Sequence, residues 1–183
     1  MLATGAARHD RDRRWRAGRH AAAPARPQDL KTAAYEQAVQ DGAVQLRPGV
    51  LALVEEAGRA GLPMAIATTT SPVNIGVLLR QAIGTHWRTC FAVIEDASTA
   101  PVKKPNPQVY LQTLKRLGMP AVQALAFEDS GNGLAAAVAA GLPTVITPTQ
   151  FTAHHDFTAA LRVRPDLSGV TLALLQDWHR ARD

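Results

Sequence analysis

The sequence has one cysteine, few aromatic residues and no long apolar run. Cys90 has no second cysteine to pair with, which excludes an internal disulfide and fits a reducing cytoplasm. Because Cys90 opens an apolar segment, we expect a strand there and a buried, unreactive thiol. No stretch approaches the roughly 18 consecutive apolar residues of a membrane-spanning helix. With 46% hydrophobic residues among 183, the chain has enough apolar material for one domain with a buried core.

The net charge of +5 lies entirely in an arginine-rich head, residues 1–27. The head carries seven arginines and two aspartates, which leaves thirteen basic and thirteen acidic residues in the remainder. It has almost no apolar periodicity, so we expect it to be disordered. A mitochondrial transit peptide and a nucleic-acid-binding arm are alternatives, but the aspartates argue against the first and the lack of a folded basic face against the second. We favour a non-native start from a truncated or frame-shifted gene.

Short apolar segments alternate with amphipathic ones along the rest of the chain. Strands are predicted at 64–69, 91–94, 124–127 and 143–147, and helices at 29–41 (with Asp29 as N-cap), 50–60 and 170–179. Ser71 and Asn106 each precede a proline, a pattern that predicts capped helices after them. Strands alternating with helices indicate right-handed crossovers and a parallel sheet covered on both faces. The predicted fold is therefore α/β with three layers.

Two adjacent carboxylates, Glu128 and Asp129, end the predicted strand at 124–127. A Gly-Asn-Gly turn follows them and leads into an alanine-rich helix. Ligands of open α/β sheets bind beyond the carboxyl ends of the strands, and uncompensated burial of neighbouring carboxylates is costly. The pair therefore predicts a bound cation, and hard oxygen ligands of this kind suit Mg²⁺. Alternatively, Asp129 or Ser130 serves only as the cap of the following helix.

Three polar stretches occur in a specific order: Met64-Ala-Ile-Ala-Thr-Thr-Thr-Ser-Pro-Val-Asn74, Lys103-Lys-Pro-Asn-Pro-Gln-Val-Tyr110 and Glu128-Asp-Ser-Gly-Asn-Gly133. They resemble the second, third and fourth motifs of the haloacid dehalogenase-like (HAD) phosphatases, in the branch of the CbbY-like proteins, β-phosphoglucomutase and phosphoglycolate phosphatase. The likeness extends over about residues 29–148. It implies a Rossmann-like HAD core over 46–183, with 28–45 as the remnant of a helical cap.

The resemblance also implies roles for the polar residues of these motifs. They are Thr68 and Lys104 for catalysis, Thr68, Thr69 and Lys104 for phosphate binding, Glu128 and Asp129 for Mg²⁺, and Ser130 and Asn132 for orienting the metal ligands. Without the resemblance, the threonine run would fit β-propensity and capping equally well. A shift of one residue would give the phosphate-binding role to Lys103, which we expect to be solvated.

The first motif of the family, Asp-x-Asp-Gly-Thr, does not occur in the sequence. In the family its first aspartate attacks phosphorus and forms an aspartyl-phosphate. Asp10-Arg-Asp12 follows no apolar strand and precedes no Gly-Thr, so we do not expect it to supply this nucleophile. His154-His155-Asp156 suggests a metal site or a triad, but no motif nucleophile accompanies it and we expect a polar loop.

The activity implied by the resemblance is Mg²⁺-dependent hydrolysis of a small phosphorylated metabolite, a sugar phosphate or phosphoglycolate. The alternatives are a non-catalytic remnant that still binds Mg²⁺ and phosphate, and a nucleic-acid-binding protein, which the neutral remainder of the chain disfavours. In the family the first motif lies at the end of a central strand, and this strand is placed between the two strands that correspond to 64–69 and 124–128 here. Without it we expect these two strands either to pair directly or to leave a gap that makes the chain poorly soluble, with Lys104 and Asp129 still at the carboxyl edge.

Overall fold

The computed structural model describes residues 27–181, in which helices alternate with short strands. The helices are α1 (Pro27–Gln40), α2 (Val50–Arg59), α3 (Pro72–Ile83), α4 (Gln108–Leu117), α5 (Gly131–Ala139) and α6 (Leu172–Arg180), and the strands are β1 (Ala65–Ala67), β2 (Val93–Glu95), β3 (Ala126–Glu128), β4 (Thr144–Ile146) and β5 (Arg162–Val163). None of the helices in this range is long and apolar enough to cross a membrane. The predictions for the head, residues 1–27, fall outside the described residues except at Pro27.

All described strand pairs are parallel, as the alternation of strands and helices predicts. β1 pairs with β2, and Ala65 lies opposite Val93. β3 pairs with β4, and β4 with β5, which gives a second sheet of three strands. Parallel strands end at the same edge of a sheet, so the residues after β1 and β2 share one edge and those after β3 and β4 share another.

Two hydrophobic clusters lie on opposite faces of the strands. The first contains Val109 of α4, Ala126 of β3 and Ala136 of α5, and the second contains Leu53 of α2, Val145 of β4 and Leu175 of α6. Neighbouring residues of a strand point to opposite faces, and Phe127 lies opposite Val145 in the register, on the face away from Ala126. Helices therefore cover the strands on both sides, which confirms a three-layer α/β fold.

β1 and β3 form no ladder with each other within residues 27–181, since they belong to separate sheets. Among residues 27–181 the two strands therefore do not pair directly, and a gap separates their ladders. Lys104 crosses this gap at the carboxyl edge, because its ammonium donates to the Ala67 carbonyl of β1 and to the Glu128 carboxylate of β3. Phe127 on β3 remains 42% exposed, although Val145 beside it is completely buried. One face of β3 is thus incompletely covered where the ladder is interrupted.

Several predicted boundaries are wrong by one to three residues. α1 begins at Pro27, before the predicted cap Asp29, in keeping with the preference of proline for a first helical turn. β2 begins at Val93 because Trp87–Cys90 forms a 3₁₀ helix and the Phe91 amide donates to the Arg88 carbonyl. Cys90 therefore ends a 3₁₀ helix instead of opening a strand, and it is only half-buried.

β1 is shorter than predicted, and β3 is displaced along the chain. β1 covers Ala65–Ala67 of the predicted 64–69, although the Thr68 amide still donates to the Glu95 carbonyl. β3 covers Ala126–Glu128, because a 3₁₀ helix at Ala121–Gln123 occupies the residues just before the predicted strand start. Glu128 is therefore the last strand residue and not the first loop residue. Its position in β3 directs its side chain to the same face as Ala126, toward α4.

Candidate active site

The candidate site lies where β1 and β3 end and is completed by the loop before α4. Thr68 and Thr69 follow β1, Lys104 lies in the loop, and Glu128 and Asp129 span the end of β3. Helix caps fix the segments that leave this edge. The Ser71 hydroxyl accepts from the Asn74 amide at the start of α3, and the Ser130 hydroxyl accepts from the Gly133 amide at the start of α5, as the capping interpretation predicts.

The most buried polar contact in the site joins Lys104 to Glu128. The Lys104 ammonium donates to one Glu128 oxygen, to the Ala67 carbonyl at 3.0 Å and to the Tyr110 hydroxyl at 3.3 Å. The side chains of the ion pair are only 17% and 9% exposed. Three acceptors therefore match the three donors of the ammonium, so both charges are compensated inside the fold.

Tyr110 of α4 is a site residue that the sequence analysis treated only as part of a helix. Its hydroxyl donates to Glu128, and Lys104 lies over its ring at 4.7 Å from the centroid. Burial raises the pKa of the Tyr110 phenol above its ordinary value of 10.0, and the charges of Glu128 and Asp129 raise it further. The phenol therefore keeps its proton and remains a donor. Its position six residues after Lys104, just inside a helix, is the one signal that could have indicated it.

Thr68, Thr69 and Lys103 surround the end of β1. The Thr68 hydroxyl accepts from the Thr70 amide at 3.2 Å, a local turn contact of the kind that the capping alternative predicts. Its own proton is still available to a further acceptor. Lys103 is exposed as expected, but its ammonium donates to the Thr69 carbonyl. Both lysines of the loop thus reach the carboxyl end of β1.

Asp129 presents the one carboxylate of the acidic pair that faces solvent. It is exposed, and its side chain has no hydrogen-bond or ionic partner within the described residues. No group of three or more His, Cys, Asp or Glu side chains in this part of the chain is arranged to hold a metal. Two carboxylates with space for water and phosphate oxygens nevertheless fit Mg²⁺, which typically takes only one or two protein carboxylates. Asn132 is exposed and makes no hydrogen bond to either carboxylate in the same range.

The segment after β4 contacts the end of β3, and the sequence analysis did not anticipate this contact. The Thr152 hydroxyl donates to the Asp129 carbonyl at 2.6 Å. The Gly131 amide donates to Nδ1 of His155 at 3.0 Å. The region around the predicted polar loop is therefore attached to Asp129, a predicted metal ligand, and to Gly131 in the turn that follows it.

The fold and its charged edge define a class: an α/β protein with a ligand site beyond the carboxyl ends of parallel strands. The chain belongs to the haloacid dehalogenase-like hydrolases, whose family model matches residues 4–141. It is 55% identical over 166 residues to the plasmid-encoded protein CbbY of Cupriavidus necator, an alignment that covers 82% of this chain and 65% of that protein. It is 44% identical over 138 residues to CbbY of Rhodobacter capsulatus, covering 75% of this chain and 61% of the relative.

Solved structures agree with these relatives. The crystal structure of CbbY from Rhodobacter sphaeroides in complex with phosphate matches with a TM-score of 0.76 and 38% identity, over 81% of this chain and 67% of that one. A second crystal structure of that protein, a variant in complex with xylulose-(1,5)-bisphosphate, matches equally well. β-Phosphoglucomutase from Clostridium difficile, at 17% identity and a TM-score of 0.67, shares the fold. The chain spans a little under two thirds of the length of the CbbY proteins from C. necator and R. capsulatus.

Proposed function

We propose that this chain is the phosphate- and cation-binding part of a CbbY-like phosphatase for small sugar phosphates. One observation supports this most directly: Lys104, which is largely buried, and Asp129, whose carboxylate has no partner among residues 27–181, both lie where β1 and β3 end. Asp129 is close enough for its charge to act on Tyr110, which itself contacts the Lys104 ammonium. Phosphate and xylulose-(1,5)-bisphosphate are bound by the R. sphaeroides relative, and we extend that substrate class to this chain.

The phosphate would bind to Thr68, Thr69 and Lys104. The Thr68 hydroxyl can donate its proton, and the N-terminus of α3 begins at Pro72, so its dipole favours an oxyanion. The Lys104 donors are all engaged in the free protein, so a phosphoryl oxygen must replace one of their acceptors. The Glu128 carboxylate is the acceptor that a bound cation would draw away.

Asp129 and Glu128 would hold the Mg²⁺ ion. When bound, the ion would supply charge neutralisation for a phosphoryl group, which lies next to it in such sites. The attraction between Glu128 and Lys104 becomes weaker when a cation also binds the Glu128 carboxylate. We therefore expect Mg²⁺ to strengthen phosphate binding, because Glu128 then shares its charge with the metal and Lys104 becomes available to the oxyanion.

We further propose that the chain alone binds its ligand without hydrolysing it. The other carboxylates at the carboxyl ends of the described strands are engaged: Glu95 pairs with Arg116 at 2.8 Å, and Asp96 accepts from the Ser98 hydroxyl at 2.5 Å. Asp10 and Asp12 lie outside the described residues. Covalent phosphoryl transfer requires an attacking group in line with phosphorus. Among the carboxylates at the strand ends within residues 27–181, only Asp129 is free for that task, and the metal would occupy it.

Calorimetric titration of the purified chain with inorganic phosphate and with Mg²⁺ tests the binding. Lys104→Met should weaken phosphate binding about tenfold or more, because a hydrogen bond to a charged group contributes roughly 1.5–3 kcal/mol. Asp129→Asn should weaken Mg²⁺ binding instead. Lys115→Met, an exposed lysine on α4, is the matched control and should leave both affinities unchanged. Wild-type chain that binds neither ligand would refute the proposal.

Release of phosphate from xylulose-(1,5)-bisphosphate tests the absence of turnover. We expect no Mg²⁺-dependent release above buffer. Release that Asp129→Asn abolishes would show that a nucleophile is present, and the Asp10→Asn and Asp12→Asn variants would then locate it. That result would overturn the binding-only part of the proposal and leave the phosphate and metal assignments in place.

A further inference from the structure

We propose that Thr152 and His155 are positioning residues that orient Asp129 for metal binding. The inference rests on the proposed function, in which Asp129 is a Mg²⁺ ligand. Asp129 has no side-chain partner within the described residues, so only its backbone fixes where the Cα–Cβ bond points and where the carboxylate can reach. Among the described residues, the side chains that bond this backbone from outside β3 and α5 are those of Thr152 and His155.

The two contacts fix consecutive peptide planes. The Thr152 hydroxyl holds the Asp129 carbonyl, which belongs to the peptide between residues 129 and 130. His155 Nδ1 holds the Gly131 amide, which belongs to the next peptide. Because peptide units are planar, the two bonds restrict the dihedral angles on both sides of Ser130. The link from β3 to α5 can then rotate little, and the Cα–Cβ bond of Asp129 keeps one direction.

The segment that provides these contacts is itself held in place. The Thr149 amide donates to the Thr152 hydroxyl oxygen at 2.9 Å, which leaves the Thr152 proton for Asp129. The His155 amide donates to the Thr152 carbonyl at 3.0 Å, so both positioning residues share one turn. The His155 ring also packs against His154, with ring centroids 4.6 Å apart. A turn with internal hydrogen bonds orients its side chains better than an open loop.

Gly131 packs against His155. A Cβ atom at Gly131 would lie 3.4 Å from the Cβ atom of His155, an ordinary van der Waals distance. The Gly131 amide also belongs to the first turn of α5, where helical amides have no partner within the helix. The imidazole Nδ1 satisfies this donor, so its ring proton is on Nε2. The hydrogen bond thus joins an amide donor that α5 leaves without a helical partner to an imidazole nitrogen that can accept.

The effect expected from these contacts is specific to the metal. Groups that orient metal ligands typically change metal affinity about 10- to 100-fold when they are removed. Phosphate in the absence of metal would bind Thr68, Thr69 and Lys104, which belong to β1 and the loop before α4. Neither Thr152 nor His155 makes a hydrogen bond to those residues within residues 27–181. A positioning role therefore separates Mg²⁺ affinity from phosphate affinity, whereas general loss of structure would lower both.

Titration of the full-length chain with Mg²⁺ alone and with inorganic phosphate alone tests the proposal. We expect His155→Leu to weaken Mg²⁺ binding about tenfold or more and to leave metal-free phosphate binding within about twofold. His155→Asn should restore Mg²⁺ binding, because its Oδ1 lies where Nδ1 accepts from Gly131. His86→Asn, at an exposed histidine just before the 3₁₀ helix Trp87–Cys90, is the control and should bind both ligands like wild type.

The other possible results of these titrations would contradict the positioning role or test it with a second variant. If wild-type chain binds Mg²⁺ and His155→Leu binds it equally well, the positioning role is wrong and the proposed function stands. If His155→Asn is as weak as His155→Leu, the hydrogen bond to Gly131 is not the cause. If His155→Leu does not fold, Thr152→Val removes only a hydroxyl and should show the same selective loss. If wild type binds no Mg²⁺, the proposed function fails first, and the inference fails with it.

Discussion

Gly133→Ala should destabilise the protein, although alanine is the better helix former. Gly133 lies in the first turn of α5, and its backbone does not have a positive φ. A Cβ atom there would overlap the Glu128 carboxylate, and even the more distant oxygen, Oε1, would be only 2.9 Å away. Glu128 is held by Lys104 and Tyr110 and is 9% exposed, so its carboxylate cannot move aside without losing these partners.

The magnitude follows from two opposing terms. Replacing glycine by alanine inside a helix stabilises by up to about 1 kcal/mol. Breaking a buried ion pair costs roughly 3–5 kcal/mol when one charge remains unpaired inside the protein. The Lys104 and Glu128 side chains are 17% and 9% exposed, so most of that cost applies. We expect a net loss of about 2–4 kcal/mol in the free energy of unfolding, a large part of a typical stability of roughly 5–15 kcal/mol.

Urea unfolding of matched variants measures this effect. Gly58→Ala is the control, because Gly58 is an exposed residue of α2 with no atom near its would-be Cβ, and it should stabilise slightly. In a Glu128→Ala background the carboxylate is gone, so Gly133→Ala should change from destabilising to neutral or stabilising. If Gly133→Ala raises the stability as Gly58→Ala does, Glu128 does not occupy the position described and the Lys104 pair is not a fixed part of the site.

Two further predictions concern Tyr110 and the head. Because the folded-state pKa of Tyr110 is raised, its protonated form contributes stability that is complete below the unfolded pKa of 10.0 and declines as pH rises above it. The free energy of unfolding should thus fall above about pH 10 in wild type and fall less steeply in Tyr110→Phe, and equal slopes would contradict the assigned environment. Deleting residues 1–26 should leave the thermal midpoint within about two degrees, since the segment has few apolar residues to bury, and a loss of several degrees would refute that expectation.

The location of Lys104 and Asp129 near the carboxyl ends of the strands was predictable, because strands alternating with helices place loop residues there. Lys104 contacts the last residues of both β1 and β3, and Asp129 directly follows β3. The roles of Thr68, Lys104 and Asp129 in binding stay predictions. The caps at Ser71 and Ser130 were likewise predictable, because each hydroxyl bonds an amide three residues away. Such local contacts leave a pattern in the sequence. The ion pair between Lys104 and Glu128 was not predicted, since the two residues had been given separate ligands.

The contacts that the sequence analysis missed are long-range contacts within the fold. Tyr110 meets Glu128 across 18 residues, and His155 meets Gly131 across 24. Hydrophobic periodicity marks which face of an element is buried, but it does not indicate which polar side chain of another element lies opposite. The strand boundaries failed for a different reason. The 3₁₀ helices before β2 and β3 are three or four residues long and have no periodic pattern that a sequence could display.

The gap between β1 and β3 makes Lys104 more than a candidate phosphate ligand. The residues assigned to phosphate follow β1, those assigned to the metal follow β3, and no ladder within residues 27–181 joins these strands. The two halves of the site are connected by α4, which packs against β1, β2 and α5, and by the Lys104 ammonium, which binds a carbonyl of one strand and a carboxylate of the other. Removing its charge should therefore loosen the spacing of the two halves as well as weaken phosphate binding. A ligand that draws Lys104 away from Glu128 also breaks the connection that Lys104 makes between β1 and β3. A phosphate bound together with a cation would replace this connection with its own contacts to both strands.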